Sequence, residues 1–155
     1  MELFNKILCP IDFDDHSRAA LETARGLAQG PDATIYLLHV VRVAPVIGGV
    51  PIEPYAVTGS DVKAEIEQML PPQAERAVIF QVLARKGNAA AEILRAIGEL
   101  GVDSVVMATH GRKGIGRLVL GSVTAHVVRE APCPVLTITA AAIGRKENPG
   151  SDRES

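Results

Sequence analysis

Residues 33–41 read ATIYLLHVV, a nearly continuous apolar run of strand length. A strand with one face in water would alternate apolar and polar residues, and this segment does not. A continuous apolar run is typical of a strand that is covered on both faces, as the strands of parallel sheets are. The segment therefore predicts a buried strand in a sheet that carries helices on both sides.

Four further segments have the length and apolar character of strands, and helical patterns separate them. These strands are predicted at residues 6–12 (KILCPID), 77–84 (AVIFQVLA), 103–109 (DSVVMAT) and 134–139 (PVLTIT). Strands that alternate with helices form parallel sheets with right-handed crossovers. The predicted fold class is α/β, with an open five-stranded parallel sheet and helices on both faces.

Capping residues mark the ends of two predicted helices. The first helix follows DFDD at residues 12–15, and either Asp15 or Ser17 is expected to cap it. The third helix is expected to begin after Asn88 and to end at Gly101, a position that favours the left-handed backbone of a C-cap.

The segment between the second strand and the second helix is less regular. Residues 42–60 contain three prolines and three glycines without a clean period, and they predict a long excursion loop. The helix that follows is expected to start near Ser60 or Asp61 and to stop at the double proline 71–72.

Size, charge and cysteine content restrict the class of protein. The 155 residues suit one domain, predicted over 1–140, followed by a polar tail at 141–155 that we expect to be disordered. A net charge of −2 argues against a general nucleic-acid binder. No apolar run reaches the roughly 20 residues of a membrane span, and the N-terminus turns acidic too early for a signal peptide. Cys9 and Cys133 form no CxxC pair, so a reducing cytoplasm is the expected location.

Residues 107–122, MATHGRKGIGRLVLGS, hold four glycines and three cationic side chains without an acid. The segment matches neither a P-loop, a dinucleotide fingerprint nor a nucleophile elbow. Its glycines still allow backbone N–H groups to face an anion, and Gly121–Ser122 lie where the chain enters the fourth helix. From residue types alone, a phosphate cradle and a flexible loop both remain open interpretations.

The ligand-binding edge of such a sheet is the one at the carboxyl ends of the strands. Asp12 follows the first strand there, and it can be either a ligand contact or only a carboxylate that complements the helix dipole. The four histidines show no metal-binding spacing and no assembled catalytic triad. We therefore assign no catalytic residue and no metal ligand.

The spacing of the glycine-rich segment resembles a known motif. Gly111, nine residues and then Gly121–Ser122 resemble the second half of the universal stress protein nucleotide motif, which reads Gly, two residues, Gly, nine residues, Gly-Ser/Thr. KILCPIDFDDHSRAAL (6–21) is similar to the family's opening strand and helix, and GSVTAHVVREAPCPVLTI (121–138) to its closing segment. The resemblance covers residues 4–139, with one departure: the family's first motif glycine falls on Ala108.

The resemblance implies a Rossmann-like, adenine nucleotide alpha hydrolase-like fold with strand order 3-2-1-4-5. It implies ATP, or ADP or AMP, at the carboxyl ends of strands one, two and four. Pro10, Ile11, Asp12 and Val40 would meet the adenine, Met107 and Ala108 would lie near adenine and ribose, and Gly111, Arg112, Gly121, Ser122 and Val123 would hold the phosphates. Mg²⁺ would accompany the nucleotide, although no ligand set is legible in the sequence.

Two functional hypotheses follow from this resemblance. In the first, the protein is a stress-response regulator that binds an adenine nucleotide and hydrolyses it slowly at most. In the second, it is a nucleotide-independent dimeric scaffold with a vestigial pocket, for which Ala108 is the best support. In either case the resemblance implies a homodimer through the last strand.

Overall fold

The computed structural model describes residues 3–43, 46–48, 50–51, 59–72, 77–109 and 120–139. Seven strands and four helices form within these residues. In chain order they are β1 (Lys6–Pro10), α1 (Asp15–Leu27), β2 (Thr34–Val41), β3 (Val46–Ile47), β4 (Val50–Pro51), α2 (Gly59–Met69), β5 (Ile79–Lys86), α3 (Ala89–Leu100), β6 (Ser104–Ala108), α4 (Ser122–Glu130) and β7 (Val135–Ile138). The tail predicted at 141–155 lies outside the described residues.

The main sheet has five parallel strands in the order β5-β2-β1-β6-β7. Numbered along the chain as the five predicted long strands, this order is 3-2-1-4-5, which confirms the expected fold class and topology. The third predicted strand lies two residues later than expected, at Ile79–Lys86. The strand has these bounds because it pairs with the whole of β2, as far as Val41↔Lys86. Its last two residues, Arg85 and Lys86, are basic, so a search for apolar runs did not include them.

Two apolar clusters cover the two faces of the sheet. Alternate residues of β1 and β2 enter opposite clusters, because successive side chains of a strand point to opposite faces. The α1–α2 face includes Ile7, Cys9, Ile35, Leu37, Leu21 and Ile66, and the α3–α4 face includes Leu8, Tyr36, Leu38, Ile93, Ile97 and Val127. Helices on both faces explain why residues 33–41 form a nearly continuous apolar run.

Capping of α1 differs from the prediction. The N-cap is Asp14, whose carboxylate accepts a hydrogen bond of 2.7 Å from the Ser17 N–H. Asp15 and Ser17 were wrong as caps because both already lie inside the helix, whereas an N-cap needs a non-helical backbone such as the φ −91° and ψ 173° of Asp14. The caps of α3 are confirmed: Asn88 accepts from the Ala91 N–H, and Gly101 is left-handed at φ 59°.

The predicted excursion loop at residues 42–60 contains regular structure. Val46–Ile47 and Val50–Pro51 pair as a short antiparallel ladder, and α2 begins at Gly59, just before the predicted Ser60. The loop prediction was wrong here because two-residue strands are too short to leave a period in the sequence. Within the described part of the chain, no helix combines the length and apolar character needed to cross a bilayer.

Candidate functional site

The first and fourth long strands are neighbours, as the resemblance implied and as the residue patterns of the two strands could not establish. β1 pairs with β6 through Ile7↔Ser104 and Leu8↔Val105, and with β2 on its other side. The chain adds β2 and β5 on one side of β1, and it adds β6 and β7 on the other side. The direction in which strands are added therefore reverses between β1 and β6. Ligands of open α/β sheets bind at such a switch point, at the carboxyl ends of the strands.

The turn after β1 is tightly bonded. Ser17 is buried, and its Oγ accepts from the Asp12 N–H at 3.0 Å and donates to the Asp12 carboxylate at 2.5 Å. Phe13, the next residue, has φ 65°, a left-handed conformation that is uncommon outside glycine. The carboxylate of Asp12 therefore organises the entry to α1, while the residue itself stays exposed at the edge of the sheet.

The end of β2 contacts the same turn. The Ile11 N–H donates to the Leu38 carbonyl at 2.8 Å, and Nδ1 of His39 lies 2.7 Å from the Ile11 carbonyl oxygen. The rings of His39 and Phe13 pack with centroids 4.6 Å apart. Val40 follows, half-buried against the α3–α4 cluster. Three of the residues predicted to meet adenine, Ile11, Asp12 and Val40, thus lie at one edge of the sheet.

The backbone at the end of β6 accommodates the Ala108 side chain without strain. Ala108 is extended, and positive φ among the described non-glycine residues occurs at Phe4 and Phe13 alone, so a methyl group causes no backbone strain there. That methyl group packs against the α1–α2 cluster. Met107 is buried in the opposite cluster, so it offers the edge its backbone and not its side chain.

A cavity of about 490 Å³ opens on the α3–α4 side of this edge. It is lined by Arg42, Val43, Gly87, Asn88, Ala89, Ser122 and Val123. Ser122 and Val123 were predicted as site residues, and the other five were not. The sequence pointed to two of these five residues indirectly. Arg42 directly follows the second strand, and Asn88 is the N-cap of the helix after the third strand.

The first turns of two helices meet at this cavity. α3 begins behind Asn88, and α4 begins behind Gly121, which as a glycine supplies no side-chain cap. The positive ends of both helix dipoles and the Arg42 guanidinium favour a negatively charged ligand. The acid of the first turn of α3, Glu92, is neutralised by Arg95 at 2.9 Å and Arg85 at 3.6 Å.

The start of α4 is also tied to the sheet. The Thr124 hydroxyl donates to the Ala108 carbonyl at 3.4 Å, which places the Gly121–Ser122 entry beside the end of β6. The arrangement brings the predicted phosphate contacts Gly121, Ser122 and Val123 next to the predicted ribose contact Ala108. Gly111 and Arg112, also predicted to hold phosphates, lie outside the described residues.

Metal and thiol chemistry find little support in the described residues. No group of three or more His, Cys, Asp or Glu side chains is placed there to hold a metal ion. Burial raises the pKa of Cys9 to about 12, and burial together with the Asp103 carboxylate raises that of Cys133. Both thiols are therefore protonated at neutral pH, and neither is an activated nucleophile.

Comparison with known sequences identifies the family. The profile of the universal stress protein family matches residues 3–139. The chain belongs to the universal stress protein family. It is similar to the universal stress protein YxiE of Bacillus subtilis, at 34% identity over 88% of this chain and 99% of the relative. A universal stress protein of Methanocaldococcus jannaschii, MJ0531, is 33% identical over 88% of this chain and 82% of its own length.

Solved structures of universal stress proteins share the fold. The UspA protein of Lactobacillus plantarum has a TM-score of 0.70 at 23% identity and covers 89% of this chain and 99% of its own. A universal stress protein solved in complex with cAMP has a TM-score of 0.64 at 19% identity, covering 89% and 98%. An Arabidopsis thaliana family member solved with AMP bound has a TM-score of 0.56 at 20% identity, covering 96% and 97%.

Proposed function

We propose that this universal stress protein binds ATP, or ADP or AMP, and acts as a cytoplasmic stress-response regulator through that nucleotide. The observation that carries the proposal is the cavity where the first turns of α3 and α4 meet beside Arg42, next to the end of β6. Adenine nucleotides are the ligands of the cAMP and AMP complexes among the solved relatives, and they combine a flat base with phosphate.

The base would lie on the turn after β1, against Pro10, Ile11 and Asp12, with Val40 beside it. The ribose would follow the backbone of Met107 and Ala108. The phosphates would bind the start of α4 at Gly121, Ser122 and Val123, together with Gly111 and Arg112. Backbone N–H groups at a helix start and a serine hydroxyl are suitable donors for phosphate oxygens.

The proposed role is regulatory. Mg²⁺ would enter with the phosphates of the bound nucleotide. We expect hydrolysis well below the usual enzymatic turnover of roughly 1–10³ s⁻¹. A multiple-turnover rate within that range would make the protein an enzyme instead.

The decisive experiment uses the full chain. Freshly purified protein is denatured, and any nucleotide that it releases is identified by chromatography. Folded protein from which bound nucleotide has been removed is then titrated with ATP by calorimetry. Co-purified adenylate or micromolar affinity is the expected result. Absence of both, at several temperatures, would refute nucleotide binding and favour the scaffold with a vestigial pocket.

A substitution at Gly121 tests the location of the phosphates. Gly121 has φ −56° and ψ 152°, which any residue can adopt, so Gly121→Val adds an isopropyl group without backbone strain. We expect ATP affinity to fall at least about tenfold, or roughly 1.4 kcal/mol. Gly98→Val is the control, since a Cβ at Gly98 meets no atom within 4 Å and the residue lies on the exposed side of α3. Equal affinity in both variants would show that the phosphates bind elsewhere.

The proposal includes a homodimer that pairs the outer edges of β7. Within the described residues this strand ends the sheet, and its Leu136 is 39% exposed. The outer edge of a terminal strand needs a cover, and a second copy would supply one. Analytical ultracentrifugation should show a dimer that Leu136→Lys converts to a monomer; a monomeric wild-type protein would remove the dimer.

A further inference from the structure

The peptide group between Ile11 and Asp12 is held from both sides by side chains of other elements. Its carbonyl oxygen lies 2.7 Å from Nδ1 of His39 on β2, and its N–H donates to Ser17 Oγ on α1 at 3.0 Å. Ile11 is 4% exposed, so its carbonyl has little access to replacement water. The orientation of this peptide group therefore depends on His39.

The imidazole acts as a donor here. A carbonyl oxygen can only accept, so the hydrogen lies on Nδ1 and the ring presents Nε2 elsewhere. The ring also packs on Phe13, at a centroid distance of 4.6 Å and an interplanar angle of 46°. Phe13 is held in a left-handed conformation at φ 65°, which is costly for an aromatic residue and needs support from its surroundings. One side chain of β2 thus supports three successive residues of the turn.

We propose that His39 is the positioning residue for base recognition. It fixes the Ile11–Asp12 peptide and the Phe13 conformation, and so presents the turn on which the adenine lies. This inference rests on the proposed nucleotide function and adds to it the residue that shapes the base site. Since α4 is anchored separately, through Thr124 to Ala108, His39 acts on the base and not on the phosphates.

The test compares His39→Ala and His39→Asn in titrations of ATP and of inorganic tripolyphosphate. His39→Ala should weaken ATP binding about tenfold, the effect of roughly one lost hydrogen bond, and should change tripolyphosphate affinity by less than about twofold. His39→Asn should recover most of the ATP affinity, because its amide places a donor near the position of Nδ1. The control is Thr34→Ala, which removes a 3.1 Å hydrogen bond to the Asp32 carbonyl at the other end of β2.

Each outcome has one meaning. ATP affinity equal to wild type in His39→Ala, or equal losses for ATP and tripolyphosphate, would overturn the inference and leave the nucleotide function standing. Failure of the wild-type protein to bind ATP would overturn both. If His39→Ala does not fold, long-range ¹H–¹⁵N correlation spectra of wild-type protein decide: a hydrogen on Nδ1 that shifts when ATP is added supports the inference, and a hydrogen on Nε2 alone overturns it.

Discussion

Replacing Ser17 by alanine tests how the turn after β1 is held. Ser17 is 2% exposed, and its hydroxyl both accepts from the Asp12 N–H and donates to the Asp12 carboxylate. Alanine removes both bonds and keeps the backbone N–H of residue 17 on its N-cap acceptor, Asp14. The substitution therefore isolates the hydroxyl from the cap of α1.

The expected loss of unfolding free energy is about 1–1.5 kcal/mol. The bond from the Asp12 N–H contributes about 1 kcal/mol. The bond to the carboxylate contributes about 0.5–1 kcal/mol, which is less than is usual for a charged partner because Asp12 is exposed and water replaces the hydroxyl. Alanine regains about 0.5 kcal/mol of helix propensity, since residue 17 lies inside α1. For a chain of this size the melting temperature should fall about 2–6 °C.

Urea unfolding measures this loss as a lower midpoint at an unchanged m-value. The matched control is Thr23→Ala, which removes the hydrogen bond that the Thr23 hydroxyl donates to the Ala19 carbonyl within the same helix. That bond is local to the helix, so the control should be neutral or slightly stabilising. A Ser17→Ala protein within about 0.3 kcal/mol of wild type would show that the hydroxyl does not hold the turn.

Three further predictions concern the site and the core. Ala108→Gly should change ATP affinity less than about threefold, because the methyl group packs away from the cavity. The same substitution should lower the unfolding free energy by about 0.5–1 kcal/mol. A tenfold gain in ATP affinity by titration would mean that the methyl group crowds the ribose. Arg42→Gln should weaken ATP binding about two- to fivefold, and the effect should be smaller at high salt. The control Lys63→Gln, which removes the same charge from an exposed residue, should leave ATP affinity unchanged. Equal effects of the two substitutions would show that Arg42 does not act at the cavity. Burial raises the pKa of Cys9 from 9.0 to about 12, so its contribution to stability is complete below pH 9 and disappears towards pH 12. Between pH 8 and 10 wild type should lose on the order of 1 kcal/mol more unfolding free energy than Cys9→Ala in urea unfolding, and parallel curves would contradict the buried thiol.

Most elements of this fold were predictable because they depend on interactions between residues that are close in sequence. The apolar run at 33–41 predicted a strand covered on both faces, and Asn88 and Gly101 predicted both ends of α3. The resemblance to universal stress proteins also needed only the sequence, since glycine spacing is a local property. The same local view missed the ladder at 46–51, where two-residue strands leave no period, and chose Asp15 or Ser17 over Asp14 as a cap.

The site depended on the tertiary structure, because sheet pairing and register bring distant residues together. Pairing of β1 with β6 creates the switch point, and no pattern in either strand specifies its neighbour. The cavity joins Arg42, the turn at Gly87–Asn88 and the start of α4, which lie on three separate connections. His39 reaches the Ile11 carbonyl across 28 residues of sequence because parallel register aligns the ends of β1 and β2. Sequence patterns report which face of an element is buried, whereas contacts between elements follow from how the sheet assembles.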